Sequence, residues 1–199
     1  MRGRRPEVRS LLAETRRAST LAAAATIHVS SLGNLRGVAN MLPAYHLLTL
    51  LSPSAGDDST LQELTPVRRL HLAFHDVMED RPDFIAPNHE TVLAILDFGR
   101  HWMHDVPMLI HCWAGISRSS AAAYMLACDD NPGLENEIAD ELRRRAPFAT
   151  PNRLMVALAD DMLGRQGRMV DAIDRIGRGA DAFEGTPYQL PLKYAGRRS

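Results

Sequence analysis

The chain has 199 residues, of which 45% are hydrophobic, and its formal net charge is −1. This length and composition predict one domain with a substantial core, and the near-neutral charge excludes a general attraction to nucleic acid or to anionic membranes. The two cysteines lie 16 residues apart and match no paired zinc-binding spacing, which is typical of a reducing cytoplasm. No run approaches the ~20 apolar residues of a membrane span, so we expect a cytoplasmic protein without a membrane partner. Lys193 is the only lysine among 23 basic residues, a bias typical of GC-rich bacterial genes.

The first half of the chain alternates predicted strands with short helices. Residues 1–24 are rich in arginine and poor in core-type residues, which fits either a solvated helix or a docking arm. A first strand is predicted over 26–30, and a short helix follows over 35–42. An apolar strand over 45–51 comes next. Residues 70–74 then alternate with period two, which predicts another strand.

The second half is predicted to be mostly helical. Asn88 can cap a helix whose apolar stripe includes Leu93 and Met103. The residues that follow predict a strand over 108–110, a helix over 121–127, a helix over 134–145, a helix opened by a Thr150 N-cap and a Pro151 first turn, and a helix over 170–176. We therefore assign one domain to residues 25–177 and a C-terminal tail to residues 178–199, which lack periodicity.

The stretch from 109 to 120 joins a predicted buried strand to a predicted helix and contains one Cys, one Gly and one Arg. A loop at a helix N-terminus points several backbone N–H groups into one concavity, where the helix dipole adds positive potential. Such a loop is a seat for an oxyanion, most often phosphate, and Arg118 can bind two of its oxygens with its planar fork. Cys112 would lie at the floor as a thiolate, in line with the phosphorus. The alternative, a buried cysteine on an ordinary turn, explains neither Arg118 nor Gly115.

This stretch resembles the signature of the protein tyrosine phosphatase superfamily, in the form His111-Cys112-x-x-Gly115-x-x-Arg118-Ser119. The Ala-Gly and Arg-Ser-Ser within it are most similar to the dual-specificity branch. The resemblance covers roughly residues 26–165 and is specific at 111–119. It implies an α/β cysteine phosphatase fold, with a central mixed sheet of four or five strands flanked by helices. It also implies hydrolysis of phosphate monoesters through a cysteinyl-phosphate intermediate, without a metal or another cofactor.

The resemblance further implies a role for each residue of the site. Cys112 is the nucleophile, and Arg118 with the loop N–H groups binds the equatorial phosphate oxygens. A general acid is needed for the leaving oxygen and later acts as the base for water. Asp76 fits this role, because it follows a predicted strand and lies 36 residues before Cys112. Asp80 and Asp83 in the same loop remain alternatives, as does the reading of Asp76 as an ordinary solvated carboxylate.

Other residues of the stretch support the loop or form its rim. His111 orders the loop, and Ser119 either donates its hydroxyl to the Cys112 sulfur or satisfies backbone donors at the helix N-terminus. Gly115 takes a backbone angle closed to other residues. The remaining positions lend N–H groups and form the rim of the substrate site: Trp113, Ala114, Ile116 and Ser117. Asn152 resembles a residue that supports the active-site wall in dual-specificity domains.

The predicted partner is a phosphorylated protein or a small phosphomonoester, and no nucleic-acid partner is expected. Two alternatives stay open: a module that binds phosphate without turnover, and the same chemistry on an inositol phosphate or an RNA 5′-phosphate. Four histidines have a spacing that suits no standard metal site: His71, His75, His101 and His104. Cys128 is predicted to be a buried thiol rather than a redox partner of Cys112. The sequence leaves the oligomeric state open.

Overall fold

A computed structural model describes residues 25–55, 58–79 and 81–194. The predicted arm over 1–24 and the candidate Asp80 lie outside the described residues. The described strands are β1 Thr26–Ser31, β2 His46–Leu51, β3 Arg68–Ala73, β4 Met108–Cys112 and β5 Tyr188–Pro191. The described helices are α1 Leu32–Asn40, α2 Ser59–Glu63, α3 His89–Arg100, α4 Arg118–Asp130, α5 Glu135–Arg145, α6 Arg153–Met162 and α7 Arg168–Ile176, with a short 3₁₀ helix at Pro53–Ala55.

The five strands form one mixed sheet in the order β3-β2-β4-β1-β5. Strand β4 lies in the centre between β1 and β2, and all contacts among β1 to β4 are parallel. Strand β5 pairs antiparallel with β1 at one edge. The predicted α/β fold with a mixed sheet of four or five strands is therefore confirmed. Parallel strands carry their carboxyl ends to the same edge, which fixes where the residues after each strand meet.

Helices cover both faces of the sheet, so its central strands are buried on both sides. Leu48, Leu50 and Ile110 face the larger core, which also contains α4. Leu47 and Leu109 face the smaller core beneath α1. Helix α4 is buried over its first eleven residues, Arg118 to Cys128. The element that follows Cys112 is consequently held on all sides by other elements.

Two helix ends differ from the prediction. Helix α6 begins at Arg153, and its N-cap is Asn152, whose Oδ1 accepts a hydrogen bond from Met155 N–H at 3.1 Å. The predicted Thr150 cap is therefore wrong. Helix α3 begins after the predicted Asn88 cap and ends at Arg100. Its predicted stripe is wrong at Leu93, which is 44% exposed, and at Met103, which lies beyond the helix and is 82% exposed.

The C-terminal segment also differs from the prediction of a tail over 178–199. Residues Tyr188–Pro191 form β5 and pair with Thr26 to Val29 of β1. Leu190 and Leu192 are buried in the larger core, which explains why the segment docks. Four residues are too few to give a clear period-two pattern, and the glycines before them mimic a linker. The folded domain therefore extends beyond residue 177 through β5.

Within the described ranges, no helix has both the length and the apolar character needed to cross a bilayer.

We predict that Leu190→Ala lowers the free energy of unfolding by about 2–5 kcal/mol, because the side chain is fully buried in the larger core. The neighbouring Gln189 is exposed, so Gln189→Ala should change it by less than about 0.5 kcal/mol. Urea denaturation of both variants measures the difference. Equal, small effects would mean that residues 188–191 are not part of the core.

Candidate active site

Polar residues from four strands meet at the carboxyl edge of the sheet. Ser31 ends β1, Ser52 follows β2, Asp76 follows β3 and Cys112 ends β4. Residues 112–118, here called the phosphate loop, connect β4 to α4. Crevices at this edge of a parallel sheet are where ligands bind in open α/β folds.

Cys112 lies at the base of the phosphate loop and is only 2% exposed. Its Sγ accepts a hydrogen bond from Gly115 N–H at 3.2 Å. The Ser119 Oγ also lies 3.2 Å from the sulfur, so the predicted contact between these two residues is present. Two polar groups, the Gly115 N–H and the Ser119 hydroxyl, thus face the sulfur.

The carbonyl groups of the phosphate loop point outward and are held by other segments. The donor–acceptor pairs are Leu32 N with Trp113 O at 3.1 Å, Gly185 N with Ala114 O at 2.8 Å, Thr150 N with Ile116 O at 3.0 Å, and Asn152 N with Ser117 O at 3.3 Å. No peptide bond among the described residues is cis, and in a trans peptide the N–H points opposite to the C=O. The outward carbonyls therefore direct the partner N–H groups into the loop, which makes a seat for an anion.

Gly115 is required in the loop for two reasons. Its φ is +73°, a left-handed conformation that other residues rarely adopt. A Cβ at this position would also lie 2.7 Å from the Ser31 backbone nitrogen. The loop therefore packs directly against the end of β1.

His111 is fully buried beneath the loop, and its Nε2 lies 2.9 Å from Thr49 Oγ1 on the neighbouring strand. Burial lowers the pKa of His111 to about 4, because the charged imidazolium would lose its hydration. The ring is consequently neutral at neutral pH. Its side chain thus links the end of β4 to β2.

Arg118 is only 4% exposed, and its head group reaches back towards the ends of β2 and β3. Its Nη1 donates to the Phe74 carbonyl oxygen at 2.8 Å and to Ser52 Oγ at 3.4 Å. Its Nε lies 3.8 Å from Asp76 Oδ2 and makes no hydrogen bond with the described residues. The guanidinium is thus oriented by protein contacts.

Asp76 contacts the phosphate loop directly. Its Oδ1 accepts hydrogen bonds from Ser117 Oγ at 2.7 Å and from Asn152 Nδ2 at 2.8 Å. Its side chain is 34% exposed, so solvent and a bound molecule can reach it. The structure therefore brings Asp76 together with Arg118 and the loop. The alternative Asp83 lies further along the same connection and is exposed.

Asn152 makes two kinds of contact, one to α6 and one to the connection after β3. Its Oδ1 caps α6, while its Nδ2 donates to Asp76 Oδ1 and to the Val77 carbonyl oxygen at 3.2 Å. Thr150, the predicted cap, instead accepts a hydrogen bond from Gly179 N–H on its Oγ1 at 3.1 Å. The resemblance indicates Asn152 only as a residue that supports the wall of the site, and the contact with Asp76 becomes visible in the structure.

The rim of the loop is partly aromatic. Trp113 is 51% exposed and packs edge-to-face with Phe183, with 5.5 Å between the ring centroids. Ala114 and Ser117 are partly buried, as is Ile116. These predicted rim residues therefore surround the mouth of the loop, next to a residue from the C-terminal segment.

The other candidate groups lie elsewhere. The part of the chain that the structure describes contains no group of three or more His, Cys, Asp or Glu side chains that could hold a metal ion. Cys128 lies on α4 and is fully buried, and burial raises the pKa of its thiol.

No protein-family model and no curated protein matches the chain. Solved structures with a similar fold include Tk-PTP, a protein tyrosine phosphatase, in its active form. That structure is 23% identical, covers 67% of this chain and 86% of its own, and gives a TM-score of 0.50. A glycine-to-alanine mutant form of Tk-PTP is 20% identical, with coverages of 68% and 86% and a TM-score of 0.48. TpbA from P. aeruginosa is 18% identical, with coverages of 73% and 85% and a TM-score of 0.40.

We predict that His111 makes folding less favourable in acid. The unfolded state binds a proton near pH 6.5, whereas burial keeps the folded pKa at about 4, so the unfolded state holds more protons between these values. Between pH 6.5 and 4 the free energy of unfolding should fall by up to about 1.4 kcal/mol per pH unit through this group.

Denaturation of the wild type and of His111→Asn across this pH range measures the effect. The variant should show a shallower slope, whatever its stability at pH 7, while the other histidines remain as a common background. Parallel slopes would contradict the neutral, buried state of His111.

Proposed function

We propose that this chain, whose fold is that of a protein tyrosine phosphatase, hydrolyses phosphate monoesters through a cysteinyl-phosphate intermediate. One observation carries the proposal. The Cys112 sulfur lies at the floor of a loop whose N–H groups turn inward, and at the same edge of the sheet Arg118 Nε lies 3.8 Å from Asp76 Oδ2. A nucleophile, an oxyanion seat and an acid–base group thus lie at one edge of the sheet.

In the first step, the phosphate oxygens bind the inward N–H groups and the Arg118 guanidinium, which brings the phosphorus over Cys112. The thiolate attacks, so an S–P bond forms while the bond from phosphorus to the leaving oxygen breaks. Asp76 in its protonated form gives its proton to that oxygen, which leaves as an alcohol or phenol. Donors aimed at the equatorial oxygens stabilise the charge that develops there.

In the second step, water attacks the phosphorus of the intermediate. Asp76, now a carboxylate, accepts the proton of that water. The S–P bond breaks, inorganic phosphate forms, and sulfur departs as a thiolate. The Ser119 hydroxyl, 3.2 Å from the sulfur, can donate a hydrogen bond to this thiolate as it leaves.

The contacts of Asp76 support its role as the acid and base. Both neighbouring donors, Ser117 and Asn152, bind Oδ1, so Oδ2 is the oxygen available to carry the transferred proton. Asn152 therefore acts as a positioning residue for Asp76. This arrangement also argues against a module that binds phosphate without turnover, because such a module needs no oriented acid.

The proposed substrate is a phosphorylated protein or a small phosphomonoester. The exposed ring of Trp113 lies in the loop itself and offers an apolar contact to an aromatic leaving group. Arg118 is the only basic residue among 112–118, so the loop lacks the additional cations that a highly charged inositol phosphate would favour. A panel of phosphotyrosine and phosphoserine peptides, inositol phosphates and an RNA 5′-phosphate would rank these classes.

We predict that Cys112→Ser abolishes turnover but retains binding of inorganic phosphate, because the hydroxyl is a far weaker nucleophile and the seat is unchanged. Arg118→Lys should be nearly as inactive as Arg118→Ala and should also bind phosphate poorly, since lysine cannot span two oxygens. Steady-state rates and phosphate titration by calorimetry separate these two kinds of loss. Sustained turnover by Cys112→Ser would refute the covalent mechanism.

We predict that the effect of Asp76→Asn depends on the leaving group. Phenyl phosphate or phosphotyrosine should slow by roughly 10²–10⁴-fold, because the leaving oxygen needs the proton. An activated ester with a low-pKa leaving group should slow much less in its phosphorylation step. Burst-phase and steady-state rates with both esters measure this difference.

Asp83→Asn is the matched control, because it makes the same change at an exposed position of the same connection. It should leave both substrates close to the wild-type rates. The reverse pattern would assign the acid to Asp83. If neither variant depends on the leaving group, Asp80→Asn tests the remaining candidate of this connection, and a third negative result would mean that the connection does not supply the acid.

A further inference from the structure

The segment over 178–187 joins α7 to β5 and runs along the phosphate loop. Its beginning is anchored beside α6, where Ala180 N–H donates to the Pro147 carbonyl oxygen at 2.9 Å and Gly179 N–H to Thr150 Oγ1 at 3.1 Å. Its end reaches the loop itself, where Gly185 N–H donates to the Ala114 carbonyl oxygen at 2.8 Å. The segment predicted as a tail therefore holds the loop from outside.

The peptide that Gly185 holds is the one that faces the nucleophile. The Ala114 carbonyl and the Gly115 N–H belong to a single trans peptide, so they point in opposite directions. With the carbonyl bound by Gly185 on the outside, the N–H points to Cys112 Sγ at 3.2 Å. A rotation of this peptide would instead present the carbonyl oxygen to the sulfur and to any bound phosphate.

The orientation of the Ala114–Gly115 peptide depends on a hydrogen bond from outside the loop, because this peptide precedes a glycine. Gly115 can populate more backbone conformations than any other residue type, so no Cβ at this position restricts the rotation of its peptide. The other outward carbonyls are bound by segments on either side, namely α1 and the turn before α6. Gly185 is the residue from the C-terminal segment that binds a carbonyl of the loop.

The surroundings fix Gly185 in place. A Cβ on Gly185 would lie 2.4 Å from Cε2 of Phe148, so the close approach requires glycine. On the other side, the Glu184 carboxylate accepts hydrogen bonds from Ser31 Oγ and from Asn34 Nδ2, the latter at 3.2 Å. Glu184 and Gly185 are thus held between Phe148 and the junction of β1 with α1.

We propose that Glu184 and Gly185 form a brace that sets the orientation of the Ala114–Gly115 peptide and thereby favours the thiolate of Cys112. Gly185 is a positioning residue in this scheme, since it acts through the peptide and touches neither substrate nor sulfur. The inference rests on the proposed function only in that Cys112 is taken to be the nucleophile.

The test compares Gly185→Pro, which removes the N–H, with Gly185→Ala, which keeps it. Both variants are made in a Phe148→Ala background, which gives room for the new side chain. The readout is the pH dependence of Cys112 alkylation by iodoacetamide, with the modified cysteine identified by mass spectrometry. The profile of the proline variant should lie about one pH unit higher, because the sulfur loses an oriented donor.

The comparison isolates the brace, because the titratable groups near the sulfur are the same in both variants: Asp76, His111, Arg118 and Tyr188. Thermal unfolding of each variant accompanies the alkylation. A purely structural role would lower the melting temperature of the proline variant without moving its alkylation profile. Identical profiles in two folded variants would overturn the proposal.

A measurement on the unmodified chain covers the case in which the proline variant fails to fold. In ¹⁵N-labelled wild type, the amide signals of Gly115 and Gly185 should shift with the same midpoint as pH is raised. A charge on the sulfur polarises the Gly115 N–H and, through the same peptide, the Ala114 carbonyl that accepts from Gly185. Both shifts should vanish in Cys112→Ser. A response at Gly115 without one at Gly185, or none at either, would overturn the brace. Coupled shifts in a chain without phosphatase activity would keep the brace and refute the proposed function instead.

Discussion

The direction of a few peptide planes is the constraint on which this site depends. A loop that binds an oxyanion must present its N–H groups and turn its carbonyls away, and a buried carbonyl needs a partner of its own. Here the carbonyls of Trp113, Ala114 and Ile116 each receive an N–H from a different part of the chain. Any other rotation would leave a carbonyl unpaired and point its oxygen at the anion. The chemistry proposed for Cys112 therefore depends on hydrogen bonds made outside the loop.

The parallel sheet supplies the remaining geometry. Strand β4 lies between β1 and β2, so Cys112 emerges at the middle of the carboxyl edge with the ends of its neighbours on both sides. Arg118 reaches the end of β2 and the strand beyond it, since its Nη1 donates to Ser52 Oγ after β2 and to the Phe74 carbonyl oxygen after β3. A guanidinium that is already oriented loses little freedom when an anion binds, which is how preorganised sites stabilise charge. Asp76 lies in the same connection and is tied to the loop through Ser117.

The sequence predicts those parts of the site whose signals are local. The spacing from His111 to Ser119 places a cysteine, a glycine and a guanidinium in one loop, and the contacts from Ser119 and Gly115 to the sulfur agree with it. Asp76 could be selected by its place after a strand. Asn152 contacts Asp76 across 76 residues, and such a pairing leaves no pattern in the sequence. Two good capping residues stand close together at 150 and 152, and only the long-range contact decides between them.

Gly185 escapes sequence analysis for a deeper reason, because it works through a backbone N–H that every residue except proline possesses. Its position is set by β5, a four-residue strand at the edge of the sheet. Strand β5 pairs with β1, and β1 ends at Ser31, against which Gly115 packs and to which Glu184 binds. The pairing of β5 with β1, which also buries Leu190 in the larger core, therefore brings Glu184 and Gly185 to the loop. The orientation of the peptide that faces Cys112 is therefore coupled to the pairing of an edge strand with β1.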